Sequence, residues 1–337
     1  MELRKVQLTG GSSLTVTLPK TWAEKADLQA GDVVGCAEQP DGSMAVHPHA
    51  KGDREIQTYH LSADGADTES LFRQVISAYL NGFDAITVTS VDEISPEARD
   101  AVQRAKDRIM GLEIIEEDMG SVTVQDFLDP KDFHVDKALR RLQMLTQAMQ
   151  QDADDLLTTP DDRKRASVRD RDDEVDRLFW LINKQFHALL RDVSYASKME
   201  LSPGEAHNFL LVARLCERTA DHANRVAGEA MEIPRDGEAD ELLGEIARAW
   251  RRSTSLFEDA VDTFRHHDPE TADRVIQEAN EFQDEQAQLL KRGTDFGSQA
   301  AVHIAFVVES IGRTAAYAAN IAEIAINHDV AAPDTTA

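Results

Sequence analysis

The sequence predicts a multidomain, mainly α chain in which a small β unit and a small α/β module precede two three-helix bundles. Three observations lead there. From residue 130 onward the chain reads as long amphipathic segments cut only at breaks rich in proline and glycine. Two stretches of that half repeat one another. The first fifty residues instead alternate branched and polar side chains around a Gly-Gly turn. At 337 residues the chain is also too long for one ordinary core, which calls for two to four folded units.

The first unit is expected over residues 1–52. Val6 and Leu8, then Leu14, Val16 and Leu18, alternate on either side of Gly10-Gly11-Ser12-Ser13, as two short strands joined by a turn do. Pro19 opens a short helix through Trp22 and Ala26, with Trp22, Leu28 and Val33 expected in the core. Strands at 33–37 and 44–47 follow, joined by Pro40-Asp41-Gly42.

Residues 53–128 read as a small α/β module: strand 55–60, helix 68–81, strand 84–89, helix 96–110, and strands 112–116 and 121–126. Asn81-Gly82 closes its first helix, and Ser95-Pro96 supplies a cap and an N1 proline for the second. No chemistry is legible in it.

Six long helices come next, at 131–158, 161–199 and 202–232 (bundle one, residues 129–234), then 238–266, 269–291 and 297–327 (bundle two, residues 235–329). Residues 330–337 are expected to be a disordered tail. The grouping comes from the repeat: Arg218-Thr219-Ala220 with Ala223, Ala227 and Ala230 recurs as Arg313-Thr314-Ala315 with Ala318, Ala322 and Ala325. A third helix lined with small residues lets two amphipathic partners bury a shared stripe against it.

Composition limits the function classes. The chain has 62 acidic against 36 basic residues, a net charge of -26, and 42% hydrophobic residues, which is globular rather than disordered. Such a charge repels nucleic acid and acidic lipid on average, so DNA contact needs a locally basic element or a screening medium. Basic residues that are mostly Arg, with acids spread through every helix, suit a halophile's concentrated salt. The two cysteines, Cys36 and Cys216, lie in different units and indicate neither a disulfide framework nor a thiolate metal site. With no membrane-length apolar run and no signal peptide, a cytoplasmic protein is expected.

Asp172, Asp173 and Asp176 stand on the second helix of bundle one, and Glu217 and Asp221 on the third. Residues four apart share a helical face, so each pair presents two hard oxygen ligands suited to iron, zinc, magnesium or manganese. Spacing alone is weak at this acid content. The apolar neighbours Leu215, Ala220 and Ala223 strengthen it, because carboxylates near a core need compensation from a metal or from arginines such as Arg214, Arg218 or Arg225. His222 is either a ligand or a polar group of the bundle surface.

The string Glu217-Arg218-Thr219-Ala220-Asp221-His222-Ala223, with Arg171-Asp172-Asp173-Glu174-Val175-Asp176 before it, resembles the paired E/DxxxD signature of the PhoU family. The resemblance covers about residues 130–328. It implies two three-helix bundles, metal clusters on the E/DxxxD face, and control of the high-affinity phosphate ABC transporter and its gene response. Bundle two departs from the pattern: Gly312 and Ala316 stand opposite Glu217 and Asp221, and Asn280 and Asp284 opposite Asp172 and Asp176. At most one metal site per chain is therefore expected, in bundle one, although Glu281, Glu285 and Glu309 are possible substitutes.

The first 26 residues carry Arg4, Lys5, Lys20 and Lys25 against Glu2 and Glu24. The run from Val6 to Lys20, followed by Leu28 and Gly31-Asp32, resembles the AbrB/MazE/SpoVT swapped-hairpin family. That resemblance implies a β barrel shared by a homodimer, with Arg4, Lys5, Gly10, Gly11, Ser12, Ser13 and Lys20 at a DNA face. The same fold can serve only to dimerise, which leaves a structural adaptor as a competing reading. A carboxylate-bridged oxidase is a second competitor, but none of the 11 histidines has Glu three residues before it. No phosphate-cradling glycine loop or activated nucleophile occurs, so no enzymatic activity is expected.

Overall fold

The structure is a computed structural model that describes residues 3–38, 42–48, 56–128, 134–191, 199, 201–235 and 237–331. Pro40 and Asp41 of the expected second turn, the helix start at 131–133, residues 192–198 of the second long helix and the tail from 332 lie outside the described residues.

β1 (Gln7–Thr9) and β2 (Ser13–Thr15) pair antiparallel with Leu8 opposite Leu14. Gly10 and Gly11 take φ of +63° and +90°, a region that side chains disfavour, so the Gly-Gly pair shapes this turn. After α1 (Lys20–Lys25), β3 (Gly35–Glu38) and β4 (Met44–His47) make a second ribbon. The two ribbons do not join into one sheet. No described residue from 3 to 48 is buried, and Leu3, Leu14 and Val33 are 85%, 71% and 70% exposed. The core expected around Trp22, Leu28 and Val33 is thus not closed within one chain: Trp22 and Leu28 are half-buried and Val33 lies in solvent. Two short ribbons have too little surface to bury one another.

The α/β module comprises β5 (Thr58–Ser62), α2 (Thr68–Leu80), β6 (Ala85–Thr89), α3 (Pro96–Arg108), β7 (Leu112–Glu117) and β8 (Ser121–Asp126). Its sheet runs β5-β6-β8-β7, with β5 parallel to β6 and the other pairs antiparallel. Asp67 and Ser95 cap the two helices through the backbone amides of Ser70 and Ala98. Phe72 and Val75 of α2 and Ala101 and Ala105 of α3 pack on Ile86, Val88, Val122 and Val124 of the sheet.

The helical half is α4 (Val135–Thr158), α5 (Asp162–Arg191), α6 (Pro203–Glu232), α7 (Gly237–His266), α8 (Pro269–Gly293) and α9 (Ser298–Ala331). Ser202 and Glu205 form a reciprocal capping box at the start of α6. The repeat predicted in the sequence is physical: Thr219 and Thr314 are both fully buried, and each hydroxyl donates to the carbonyl four residues back, Leu215 at 2.8 Å and Ser310 at 3.0 Å. The alanine stripes of α6 and α9 are buried as expected. One feature goes beyond the expectation of two separate bundles. α6 also packs on α9 and α4 on α7, so all six helices share a continuous apolar core, stapled by Trp250 Nε1 donating to the Gln150 carbonyl at 2.9 Å. Among the described residues no helix is long and apolar enough to cross a membrane.

The α/β module sits on α5. Trp180 of that helix packs partly against both cores. Beside it Lys184 pairs with Asp126, their side chains only 7% and 3% exposed, and the Lys184 ammonium lies 4.4 Å from the Tyr79 ring centroid.

Candidate functional site

α5 and α6 pack side by side through Val175, Leu178 and Phe179 on one helix and Cys216, Ala220 and Ala223 on the other. The small residues of α6 allow close approach, and the acids at i and i+4 on each helix fall on the flank of that contact. Asp172, Asp176, Glu217 and Asp221 are thereby brought together, near enough to raise one another's proton affinity. Burial first, then Asp221, pushes Asp172 up to about 6. Burial, then Asp172 and Asp221, pushes Asp176 up to about 6. Burial and then Asp221 lift Glu217 to about 7, and burial raises Asp221 against the pull of Arg218.

Three cationic or amide groups serve the cluster. Arg218 Nε stands 3.7 Å from Glu217 and its Nη1 3.7 Å from Asp221. Asn224 Nδ2 donates to Asp172 at 2.7 Å while Arg165 holds the Asn224 carbonyl oxygen at 2.7 Å. Arg108, at the end of α3 in the α/β module, reaches across to α5 with Nη2 2.6 Å from Asp173 and Nη1 3.7 Å from Asp176. Asp173 accordingly pairs with the module, while its charge still raises Asp172 and Asp176. Glu217 Oε2 is buried with no hydrogen-bond partner, an orphaned acceptor beside Asp221.

The donor set of carboxylate oxygens and that orphaned acceptor suit a hard divalent cation. In the arrangement seen, no group of three or more His, Cys, Asp or Glu side chains among the described residues is placed to hold a metal ion. The arginines stand among the carboxylates instead. His222 belongs to the bundle contact: its Nδ1 lies 3.1 Å from the Ser310 hydroxyl of α9, and burial lowers it to about 4. Of the arginines weighed from the sequence, Arg225 pairs with Glu309 at 3.3 Å, and Arg214 lies over the Phe179 ring at 4.6 Å while its charge, after that of Arg218, opposes the rise of Glu217.

Sequence reasoning missed Arg108, Asn224 and Arg165. Asn224 was within reach, being three residues beyond Asp221 on the same helix face. Arg108 carried no signal except a basic residue in the last turn of a helix.

Among the described residues bundle two lacks the cluster. At the equivalent place between α8 and α9 there is a groove of about 520 Å³ lined by Asn280, Gln283, Gln286, Gly312 and Ala316 among others. A Cβ at Gly312 would overlap the Gln286 amide, the far end of a flexible side chain, which would have to move aside. The substitutes considered from the sequence are engaged: Glu281 and Glu285 with Arg252, and Glu309 with Arg225 and Arg313.

At the N-terminus, Arg4 and Lys5 lie exposed just before β1, Gly10, Gly11 and Ser12 form the turn, and Ser13 begins β2. Lys20 opens α1 with its side chain 88% exposed and 3.6 Å from Glu24.

Comparison with known proteins places these features. The family model described as PhoU domain matches residues 139–230 and 246–325. The model described as Antidote-toxin recognition MazE, bacterial antitoxin, matches residues 7–53. Among solved structures, PhoU from Pseudomonas aeruginosa is similar at 20% identity and a TM-score of 0.48, over 59% of this chain and 96% of that one. The phosphate transport system regulatory protein PhoU from Streptococcus pneumoniae is similar at 17% identity and a TM-score of 0.43, over 60% and 98%. The curated proteins offer no match.

Proposed function

Matched across both halves of its helical region, the chain belongs to the PhoU family, and from that premise we propose that it regulates phosphate transport without catalysing a reaction. The α5–α6 carboxylate cluster is its sensing element and the N-terminal hairpins are its output.

The observation that carries the sensing role is Glu217, a carboxylate with a buried oxygen that has no hydrogen bond, only Arg218 3.7 Å away, and a proton affinity lifted to about 7 by burial and by Asp221. Asp172, Asp176, Glu217 and Asp221 would hold a divalent cation once Arg108 and Arg218 give way. The cation would neutralise them and tie α5 to α6. Manganese, magnesium, zinc and iron all accept such oxygen donors.

Exposed apolar side chains support the output role. Leu8, Leu14, Val16 and Val33 on the ribbons have no core within one chain, and a second copy of the same ribbons offers the complementary surface. The dimer would carry Arg4, Lys5, Lys20 and the Gly10–Ser13 turn twice, concentrating positive charge in a chain that is otherwise acidic. DNA of a phosphate-transport promoter and components of the phosphate ABC transporter are the partners this reading names. Phosphate uptake and transporter expression, measured in cells lacking the chain and in cells carrying Glu217→Ala, test it. Loss of the response to phosphate in both supports the reading, and an unchanged response in cells lacking the chain defeats it.

A further inference from the structure

We infer that Arg108 is a tethered cation that closes the carboxylate cluster from the α/β module and is driven off it by a divalent metal ion, so that metal binding and the seating of α3 on α5 oppose one another. The inference rests on the metal reading of the cluster and adds the route by which occupancy leaves the site.

Its basis is the position of one side chain. Arg108 is the last residue of α3, followed by Ile109, which is buried in the module's own core. Its guanidinium nevertheless leaves the module and straddles α5, 2.6 Å from Asp173 and 3.7 Å from Asp176. Asp173 faces the module, whereas Asp176 belongs to the four convergent acids. A metal ion that takes Asp176 therefore competes with Arg108 for the same oxygens and repels it at a few ångströms in a half-buried setting.

The second arginine of the cluster behaves differently. Arg218 is carried by α6 itself, is half exposed, and can swing into solvent without disturbing any packed element. Arg108, 41% exposed, is carried by another folded unit, so losing its contact removes a link between α3 and α5. The rest of the module has its own anchor on α5, through Trp180 and the buried Lys184–Asp126 pair. Losing Arg108 would free the end of α3 while this anchor holds. In sequence the module stands between the helical half and the hairpins, where an altered α3 seating can be passed on.

Opposition between two ligands of one site is reciprocal: if metal weakens the Arg108 contact, removing Arg108 must tighten metal binding by the same factor. Titration of the full-length chain with Mn(II), followed by calorimetry, gives the affinity, and hydrogen exchange over residues 96–108 gives the seating of α3. Arg108→Ala is expected to bind Mn(II) more tightly by on the order of tenfold. Arg108→Lys, which keeps the charge and loses the two-pronged geometry, falls between. Arg104→Ala, at an arginine of α3 that pairs with Glu69 within the module, leaves the affinity at the wild-type value. Mn(II) is expected to speed exchange at the end of α3 in the wild type and to have no effect in Arg108→Ala, where exchange is already fast. Equal Mn(II) affinity in the wild type and both Arg108 variants overturns the inference and leaves the metal site standing. A wild type that binds no Mn(II) overturns both. Circular dichroism of each variant excludes a folding defect, and the wild-type exchange experiment needs no substitution at all.

Discussion

Replacing Glu217 by Gln should stabilise the metal-free protein at alkaline pH, the reverse of what losing a native charged contact usually does. Glu217 is 15% exposed, its Oε2 has no hydrogen-bond partner and only the Arg218 guanidinium 3.7 Å away, and its proton affinity stands at about 7 against an ordinary value of 4.5. A carboxyl raised in this way binds its proton more tightly folded than unfolded. It therefore contributes no penalty below pH 4.5, and stability falls as pH rises from there to about 7, after which the full cost of the buried charge is present. A rise of that size corresponds to an upper bound of about 3 kcal/mol. Some of it returns as the cost of burying the unpaired amide that Gln introduces, which is about 1–2 kcal/mol. The net gain for Glu217→Gln at pH 8 is then about 1–2 kcal/mol, and at pH 4.5 it disappears or changes sign. Urea unfolding of the helical half, followed by circular dichroism in a chelator at fixed ionic strength, measures it. With Mn(II) at a hundred times its dissociation constant the order reverses, because the wild type gains about 2.7 kcal/mol from binding that the variant forgoes. A variant that is less stable than the wild type by the same amount at pH 4.5 and pH 8 would refute the reasoning, since the wild-type carboxylate would then carry no charge-dependent cost.

Other outcomes follow from the same geometry. Lys184→Met strands Asp126 as a buried charge and should weaken the seating of the α/β module on α5 by about 3–5 kcal/mol, seen as earlier release of the module in thermal unfolding; an unchanged transition contradicts it. Leu14→Asp places a charge on the exposed apolar face of the first hairpin and should leave a monomer by light scattering, whereas a persisting dimer would remove that face from the interface. Combining Arg4→Ala with Lys5→Ala should lower the slope of log affinity against log salt for promoter DNA by about 2, and an unaltered slope takes both residues off the DNA face.

The helices were legible because their punctuation is local. Pro203 and Pro269 open α6 and α8 at the first turn, where proline is tolerated, Pro234 follows the end of α6, and the alanine stripes of α6 and α9 mark their buried faces regardless of what lies opposite. The α5 and α6 acids were legible for the same reason, since a four-residue spacing states which side chains share a face. What the sequence withheld was every relation between elements that no periodicity encodes. The packing of α6 on α9 and of α4 on α7, which merges two bundles into one core, depends on crossing geometry. Arg108 belongs to the cluster only because the module docks on α5, more than sixty residues away in the chain. The hairpin pattern correctly announced strands, but no periodicity announced that Val33 lies in solvent within a single chain.

Elemental analysis of the purified full-length protein beside an Asp176→Ala, Glu217→Ala double variant reaches the central claim most directly. Carboxylates from α5 and α6 that together hold a cation predict a bound transition or alkaline-earth metal in the wild type and its loss in the variant. Equal metal content in the two, or none in either after incubation with Mn(II), would contradict the account.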